Sequence, residues 1–550
     1  MTPIYTAICE HARKVPKQVA IKTVVGEHTV SLTYDALQRT LALLHQTLHT
    51  WQGKRVALYA HNEIDWVILD LALSTAGAVV IPIPLFFSDS QVAHLLQDAQ
   101  IELVYVGAGL TLPAIHDVDH VNHNVNNWVI AKTAEVAALK LEHAAYITGE
   151  FYQLNNDAAD TLTSQASAIA SEFCKVTYTS GSTGMPKGVC LGQDTLMRIV
   201  ESLAEALADT LTDDAANPLD ITSHFGHLSV LPFATLLENV AGVYVSLYMG
   251  RTLVIGKIDQ FGLLSNQAFD AKRLITTVQT HRIASVILLP QMLKAICEYM
   301  AANKNPDART SAALPSLRFM AVGGGKVSPT LLQDAKALSL PVYEGYGLSE
   351  CGSVVSLNTP KAKREGSVGK PMPHASVSIA ASGEVMVKGN AMQGYLNHDT
   401  SSEDMNNKDN GIIATGDIGY IDNDGYLYIT GRRKNVLISS FGRNISPEWV
   451  EAQLLTQPII YQAAVLGDGE PSLSAVIVAN PNEVATNCSD LQSAIEHAIE
   501  TVNQALPDYA RIKHWHLEKQ SFSTDNGLLT DNGKLRRPQI FTTYKSVLGL

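Results

Sequence analysis

Thr177-Tyr178-Thr179-Ser180-Gly181-Ser182-Thr183-Gly184-Met185-Pro186-Lys187-Gly188-Val189 is the most informative stretch of this chain. It follows the apolar Phe173–Val176 region and gathers hydroxyls, glycines and one lysine. Such a loop can wrap phosphates: glycines let the backbone approach, amides and hydroxyls donate, and the lysine supplies charge. It is not a Walker A loop, because the GxxxxGK[ST] spacing is absent. A flexible Ser/Gly turn has the same composition, and composition alone leaves both readings open.

On either side of this loop, strand-like and helix-like segments alternate. Arg55–Tyr59 is a short apolar run, followed by an amphipathic stretch over Asp65–Ala76 and the Val79–Ile83 run. Ser285–Leu289 and Leu317–Val322 are further β-type runs between helical stretches. Strands alternating with helices predict parallel sheets covered by helices on both faces, with ligands held at strand ends. From Gly383 the texture changes: Glu384–Lys388 and Tyr426–Thr430 alternate as half-buried antiparallel strands do. Ser446-Pro447-Glu448 is a helix start, with a capping Ser, Pro at the first position and an acidic first turn. Leu473–Val478 reads as a strand. Two domains are expected, residues 1–433 and 434–550, with the boundary near Lys434. Asn155–Ser171 is expected to be a surface loop or weak helix.

The 550 residues carry a formal net charge of -13, and 46% are hydrophobic. A sequence pI near 5.7 and a mean hydropathy of +0.06 describe an acidic globular protein. That balance argues against nucleic acid and anionic membranes as partners. An anionic ligand must then be held by local loops. Six scattered cysteines without metal spacing fit a reduced, intracellular protein. The N-terminus lacks an apolar h-region, and Leu71–Phe87, interrupted by Pro82 and Pro84, reads as a buried helix end, strand and turn. The expected location is cytoplasmic. His224 and His227 read as a loop histidine pair without a third ligand at zinc spacing.

The Thr177–Val189 block resembles the phosphate-loop signature of the adenylate-forming superfamily, which includes acyl-CoA synthetases, nonribosomal peptide adenylation domains and luciferases. Further blocks follow in that superfamily's order. Val322-Gly323-Gly324-Gly325-Lys326 resembles the loop that closes over adenine, and Tyr343-Glu344-Gly345-Tyr346-Gly347-Leu348-Ser349-Glu350 is similar to the YGxTE block. Gly383–Tyr395, Thr415-Gly416-Asp417, Gly431-Arg432 and Lys534 within Asn526–Arg537 complete the set. The resemblance implies an α/β fold: a large N-terminal domain of parallel-type sheets packed by helices plus a distorted β-barrel, and a small mobile α+β C-terminal domain.

It also implies roles for individual residues. Thr179, Ser180, Gly181, Ser182, Thr183, Gly184 and Lys187 would hold the phosphates of ATP. Gly323, Gly324, Gly325, Glu344, Gly345, Tyr346, Asp417 and Arg432 would hold adenine and ribose. Glu350, a hard oxygen ligand, suits magnesium, with Thr179 beside it; Ser349 stands where Thr is usual and still offers a hydroxyl. Lys534 would bridge the substrate carboxylate and the α-phosphate, two anions that repel as they meet. Lys434 would be the hinge, and Phe441 and Gly442 would lie near the CoA tunnel.

For the acid, Asn526–Thr530 and Arg432–Asn435 resemble long-chain fatty acid–CoA ligases. Leu231–Glu238 is similar to the LPLAHxxE block but has Thr235 where a histidine is usual. Phe233, Ala234, Thr235 and Gly347 are the expected acyl pocket, and the region lacks the Asp that amino-acid-activating relatives carry there. An apolar acyl chain is therefore favoured over an amino acid. The expected activity is AMP-forming ligation of a medium- or long-chain fatty acid to CoA. The alternatives are ligation to an acyl carrier protein or adenylation of a different acid or for a different acceptor, with a non-catalytic nucleotide- or acyl-binding protein as a remote reading.

Overall fold

The computed structural model describes residues 2–26, 28–112, 128–130, 147–154, 173–179, 186–210, 226–264, 269–303, 314–397, 411–440, 443–481, 483–484, 490–530 and 533–550. Two large mixed sheets dominate it. The first runs Lys370–Pro371, Ser353–Leu357, Val342–Leu348, Phe319–Val322, Ile283–Leu288, Gly226–Leu228, Thr252–Ile255, Val19–Val25 and His28–Thr33. Its interior pairs from Val342–Leu348 to Val19–Val25 are parallel. Its edge pairs are antiparallel. The second sheet orders Gly394–Tyr395, Lys187–Leu191, Lys175–Thr179, Val79–Pro82, Arg55–Tyr59, Leu103–Val106, Glu150–Leu154 and Trp128–Ile130. Three adjacent pairs at its centre are parallel and the flanking pairs antiparallel. The expectation of parallel sheets therefore holds at the centres and fails at the edges, where the strands pair antiparallel.

The expected amphipathic stretch over Asp65–Ala76 is a helix, Ile64–Ala76, but nearly every residue in it is buried. It packs on the helix Tyr34–Leu48 and on the strands Arg55–Tyr59 and Val79–Pro82, which leaves no wet face. Its two carboxylates are consequently paired. Asp65 accepts from Tyr105, and Asp70 lies 2.8 Å from the Lys175 ammonium. Lys175 also donates to Tyr244 at 3.1 Å and to Asn239, so a buried charge is fully engaged beneath the strand that leads to the phosphate-loop motif.

An antiparallel four-stranded sheet orders Ser376–Ile379, Glu384–Lys388, Ile412–Ile421 and Leu427–Arg432, as the alternation over Glu384–Lys388 and Tyr426–Thr430 predicts. Beyond it, Ser446 caps the helix Pro447–Leu454 by accepting from Trp449 N–H, as the sequence predicts. A three-stranded sheet of Ile460–Leu466, Leu473–Ala479 and Ile512–Glu518 follows, packed by Leu491–Ala505 and Arg537–Leu548. Its two hydrophobic clusters contain only residues from Leu437 onward. Among the described residues no helix is long and apolar enough to cross a membrane. Asn155–Ser171 lies outside the described residues.

Candidate active site

A cavity of about 1810 Å³ opens where the ends of several strands meet the C-terminal segment. The strand Phe319–Val322 delivers Gly323 and Gly324 to its wall, and Val342–Leu348 delivers Gly345, Tyr346 and Gly347 and then Ser349 and Glu350. Gly347 has a steric reason to be glycine: a Cβ there would stand 1.7 Å from the carbonyl oxygen of Ser353 on the paired strand. Thr179 and Lys187 end two adjacent strands and are cross-strand partners facing the same space.

Tyr395 joins the residues of two distant motifs. It pairs with Val189 in an antiparallel bridge. Its hydroxyl donates to Glu350 Oε1 at 2.8 Å, and its ring lies 5.4 Å from the Lys187 ammonium. The carboxylate and the lysine are thus oriented by one side chain. Tyr395 closes the quoted Gly383–Tyr395 block, but the sequence reading gave it no role; only the pairing across two hundred residues supplies one.

Asp417 and Arg432 are opposite each other on neighbouring strands, with Asp417 Oδ1 2.7 Å from Arg432 Nε. Asp417 Oδ2 accepts from the Tyr346 hydroxyl at 2.6 Å. Burial raises the Asp417 pKa from its ordinary value, against the opposing pull of Arg432.

Lys534 reaches the same space on a tight loop. Thr530 N–H donates to the Lys534 carbonyl at 2.7 Å, and Lys534 N–H donates to Thr530 Oγ1 at 3.1 Å. Asn526 secures the approach by accepting from Ser523 N–H and donating to the Ser521 carbonyl, each at 2.9 Å. On the far side Arg537 donates two 2.7 Å hydrogen bonds to buried Glu451. The Lys534 side chain stands open to the cleft, with the charges of Arg432, Asp417, Lys434 and Glu350 near enough to act on it. Desolvation in the cleft, then Arg432, lowers its pKa from the ordinary lysine value, while Asp417 opposes the shift. Lys434 lines the same cavity, and desolvation lowers its pKa too.

Magnesium can be held here only in company. Among the described residues no cluster of three His, Cys, Asp or Glu could form a cage. One carboxylate, Glu350, with the hydroxyls of Thr179 and Ser349, suits a hard cation that keeps most of its oxygens from water and phosphate. Such a cation would neutralise charge on the polyphosphate.

A family model for AMP-binding enzymes matches residues 8–396, and one for the AMP-binding enzyme C-terminal domain matches residues 434–548. The chain belongs to the AMP-binding enzyme family. This places it in the adenylate-forming superfamily that its motifs resemble. Relatives of this AMP-binding enzyme include the long-chain-fatty-acid–CoA ligase FadD15 of Mycobacterium bovis, 25% identical over 98% of this chain and 95% of that one. The 2-succinylbenzoate–CoA ligase of Bacillus velezensis is 26% identical over 85% and 86%. The O-succinylbenzoate coenzyme A synthetase of Bacillus subtilis has the same fold. Its complex with AMP superposes at a TM-score of 0.69, with 22% identity over 97% of each chain. The same synthetase has been solved with ATP and magnesium ion, at a TM-score of 0.66 and 21% identity over 97% and 98% of the two chains.

Within this AMP-binding enzyme the remaining expected site residues fall into three groups. Ala234 and Thr235 line the cavity. Phe233, Gly325, Glu344 and Asp417 are not among its lining residues. Phe233 is buried against Trp66, and Glu344 accepts from Gly366 N–H at 3.1 Å behind the wall. Ser180, Gly181, Ser182, Thr183 and Gly184, together with Phe441 and Gly442, lie outside the described residues. The expected loop histidine pair needs correction. His227 is a buried strand residue bonded to Glu238 and Ser285, because its strand is an interior member of the nine-stranded sheet; His224 lies outside the described residues.

Proposed function

We propose that this AMP-binding enzyme activates a carboxylic acid with ATP and magnesium as an acyl-adenylate, then transfers the acyl group to the thiol of CoA. The observation that carries this reading is the convergence of Lys534, Arg432 and Glu350 on one cavity, with Asp417 paired to Arg432 behind its wall and near enough to act on Lys534. Asp417 and Arg432 are suited to hold the ribose, and Thr179, Lys187 and the Ser180–Gly184 loop to hold the phosphates. Lys534 then stands where an ammonium can bridge the incoming carboxylate and the α-phosphate. Gly323, Gly324 and Tyr346 line the adenine side, with Gly325 and Glu344 supporting it from behind. Residues 1–433 form the nucleotide- and acyl-binding part, and residues 434–550 form the part that carries Lys534 and turns about Lys434 to admit the thiol near Phe441 and Gly442.

Away from these polar groups the cavity is walled by Leu203, Leu207, Leu236, Ala241, Val245 and Met249. An alkyl chain gains about 0.8 kcal/mol per buried CH₂ in such a channel, which favours a medium- or long-chain fatty acid. The 2-succinylbenzoate ligases among the relatives support a second reading, an acid whose acyl portion carries polar or aromatic groups. Pyrophosphate release with fatty, aryl and amino acids, with and without CoA, tests the proposal. Fatty acid turnover accelerated by CoA is expected. Release that CoA leaves unchanged would direct the acyl group to another acceptor, an acyl carrier protein first.

A further inference from the structure

Besides Thr235, Ser246 and Arg251, which also line it, the apolar wall is interrupted by a buried polar chain. His227 lies opposite Ser285 on the neighbouring parallel strand, with Nδ1 2.9 Å from Ser285 Oγ. Its Nε2 is 3.0 Å from Glu238 Oε1, and Glu238 Oε2 accepts Leu231 N–H at 3.2 Å. Relative exposures are 4% for His227, 7% for Ser285 and 0% for Glu238. The backbone is shaped around them: Glu238 immediately precedes the π-helical segment Asn239–Tyr244, a rare wide turn that is frequent at functional sites. A Cβ on Gly242 of that segment would stand 2.2 Å from Glu238 Oε1 and 2.8 Å from His227 Nε2. His227 and Ser285 both line the cavity, among Leu231, Leu236, Ala241 and Val245.

A buried carboxylate and imidazole cost folding free energy that Leu or Val at the same positions would not. A pocket for a bare alkyl chain gains nothing from them. We infer that Ser285, held by His227 and Glu238, is a specificity-determining contact for a hydroxyl group on the acyl portion of the acid. The inference rests on the acid-activating reading above. An ionised Glu238 only accepts, so it holds His227 Nε2 as a donor. Nδ1 then either accepts the Ser285 proton or donates to the Ser285 oxygen, according to the charge on the ring. A substrate hydroxyl, which donates and accepts, completes Ser285 in both arrangements; a methylene completes neither. Sites built to bond a hydroxyl discriminate strongly against analogues that lack it, because their own polar groups are left unpaired.

The test uses the full-length enzyme and acids of matched length that carry no oxygen, a hydroxyl or an oxo group, the substituent moved along the chain. Turnover is read by pyrophosphate release, and binding by calorimetric titration with AMP and magnesium present. At one position the hydroxy acid is expected to exceed its unsubstituted partner at least about 10-fold in kcat/KM and in affinity. In Ser285→Ala that ratio falls to near one, whereas Ser285→Thr, which keeps the hydroxyl, retains a preference. His227→Gln, the positioning variant, lowers the ratio through KM and not through kcat. A wild-type ratio at or below one across the panel overturns the inference, as does a ratio that Ser285→Ala leaves intact. Hydroxy-acid preference in binding without pyrophosphate release upholds the inference and removes the acid-activating reading; release without preference does the reverse.

Discussion

Asp417 and Arg432 face each other across adjacent strands, Oδ1 2.7 Å from Nε, while the second Asp417 oxygen accepts from Tyr346 at 2.6 Å. Both carboxylate oxygens are therefore fixed within the protein itself, so the ribose contact proposed for Asp417 requires little reorganisation. Asp417→Asn keeps the shape and removes the charge. Hydrogen bonds to charged groups are worth about 1.5–3 kcal/mol. The KM for ATP should rise roughly 10- to 100-fold, measured by pyrophosphate release at saturating acid, with an unchanged circular dichroism spectrum.

Glu344 makes a pH-dependent contribution to stability. Burial raises its pKa from 4.5 to about 7, against the Gly366 N–H and Lys363. The folded chain thus holds the proton more tightly than the unfolded chain. The resulting stability is fully present below pH 4.5 and is lost as pH rises through about 7, by at most about 3 kcal/mol. Glu344→Gln should leave the melting temperature unchanged near pH 4.5 and raise it above pH 7. Equal shifts at both pH values would contradict this account.

Lys175 and Asp70 are a buried ion pair at 2.8 Å with side-chain exposures of 0% and 1%. Removing one partner leaves the other charge buried and uncompensated. Asp70→Asn should destabilise the protein by about 3–5 kcal/mol, seen as an earlier thermal unfolding transition. Replacing both residues by apolar ones should cost less than Asp70→Asn alone.

Lys534 must be protonated to bridge two anions. Desolvation and Arg432 lower its pKa from the ordinary 10.5, so adenylation should fall as pH rises, below the range of a free lysine. Arginine stays charged throughout. Residual adenylation by Lys534→Arg should lack this alkaline fall, which pH profiles of single-turnover adenylation will compare.

Much of this was legible in the sequence, because local chemistry determines it. Ser446-Pro447-Glu448 encodes a helix start that needs no tertiary partner, and Arg55–Tyr59 is a strand by composition. The separate motifs carrying Glu350, Arg432 and Lys534 line one cavity, and Asp417 is paired with Arg432 beside it. What escaped depends on distance in sequence. The Ile64–Ala76 helix looked amphipathic because Asp65 and Asp70 are polar, yet Tyr105 and Lys175 cover them. His227 read as one of a loop histidine pair without a third metal ligand, and Ser285, which its ring meets, lies 58 residues away. Tyr395 had a place in a motif but no role until the strand pairing set it beside Val189. For Glu238 a signal existed: it ends the Leu231–Glu238 block, and a carboxylate at a fixed place after an apolar run asks for a partner.

The most direct test separates the two half-reactions in Lys534→Ala. Acyl-adenylate formation is measured as pyrophosphate release in a single turnover, and thioester formation from supplied acyl-adenylate and CoA. Loss of adenylation by at least about 10²-fold, with thioester formation largely intact, is the predicted result. Equal loss of both half-reactions, or adenylation left at the wild-type rate, would contradict the role assigned to Lys534.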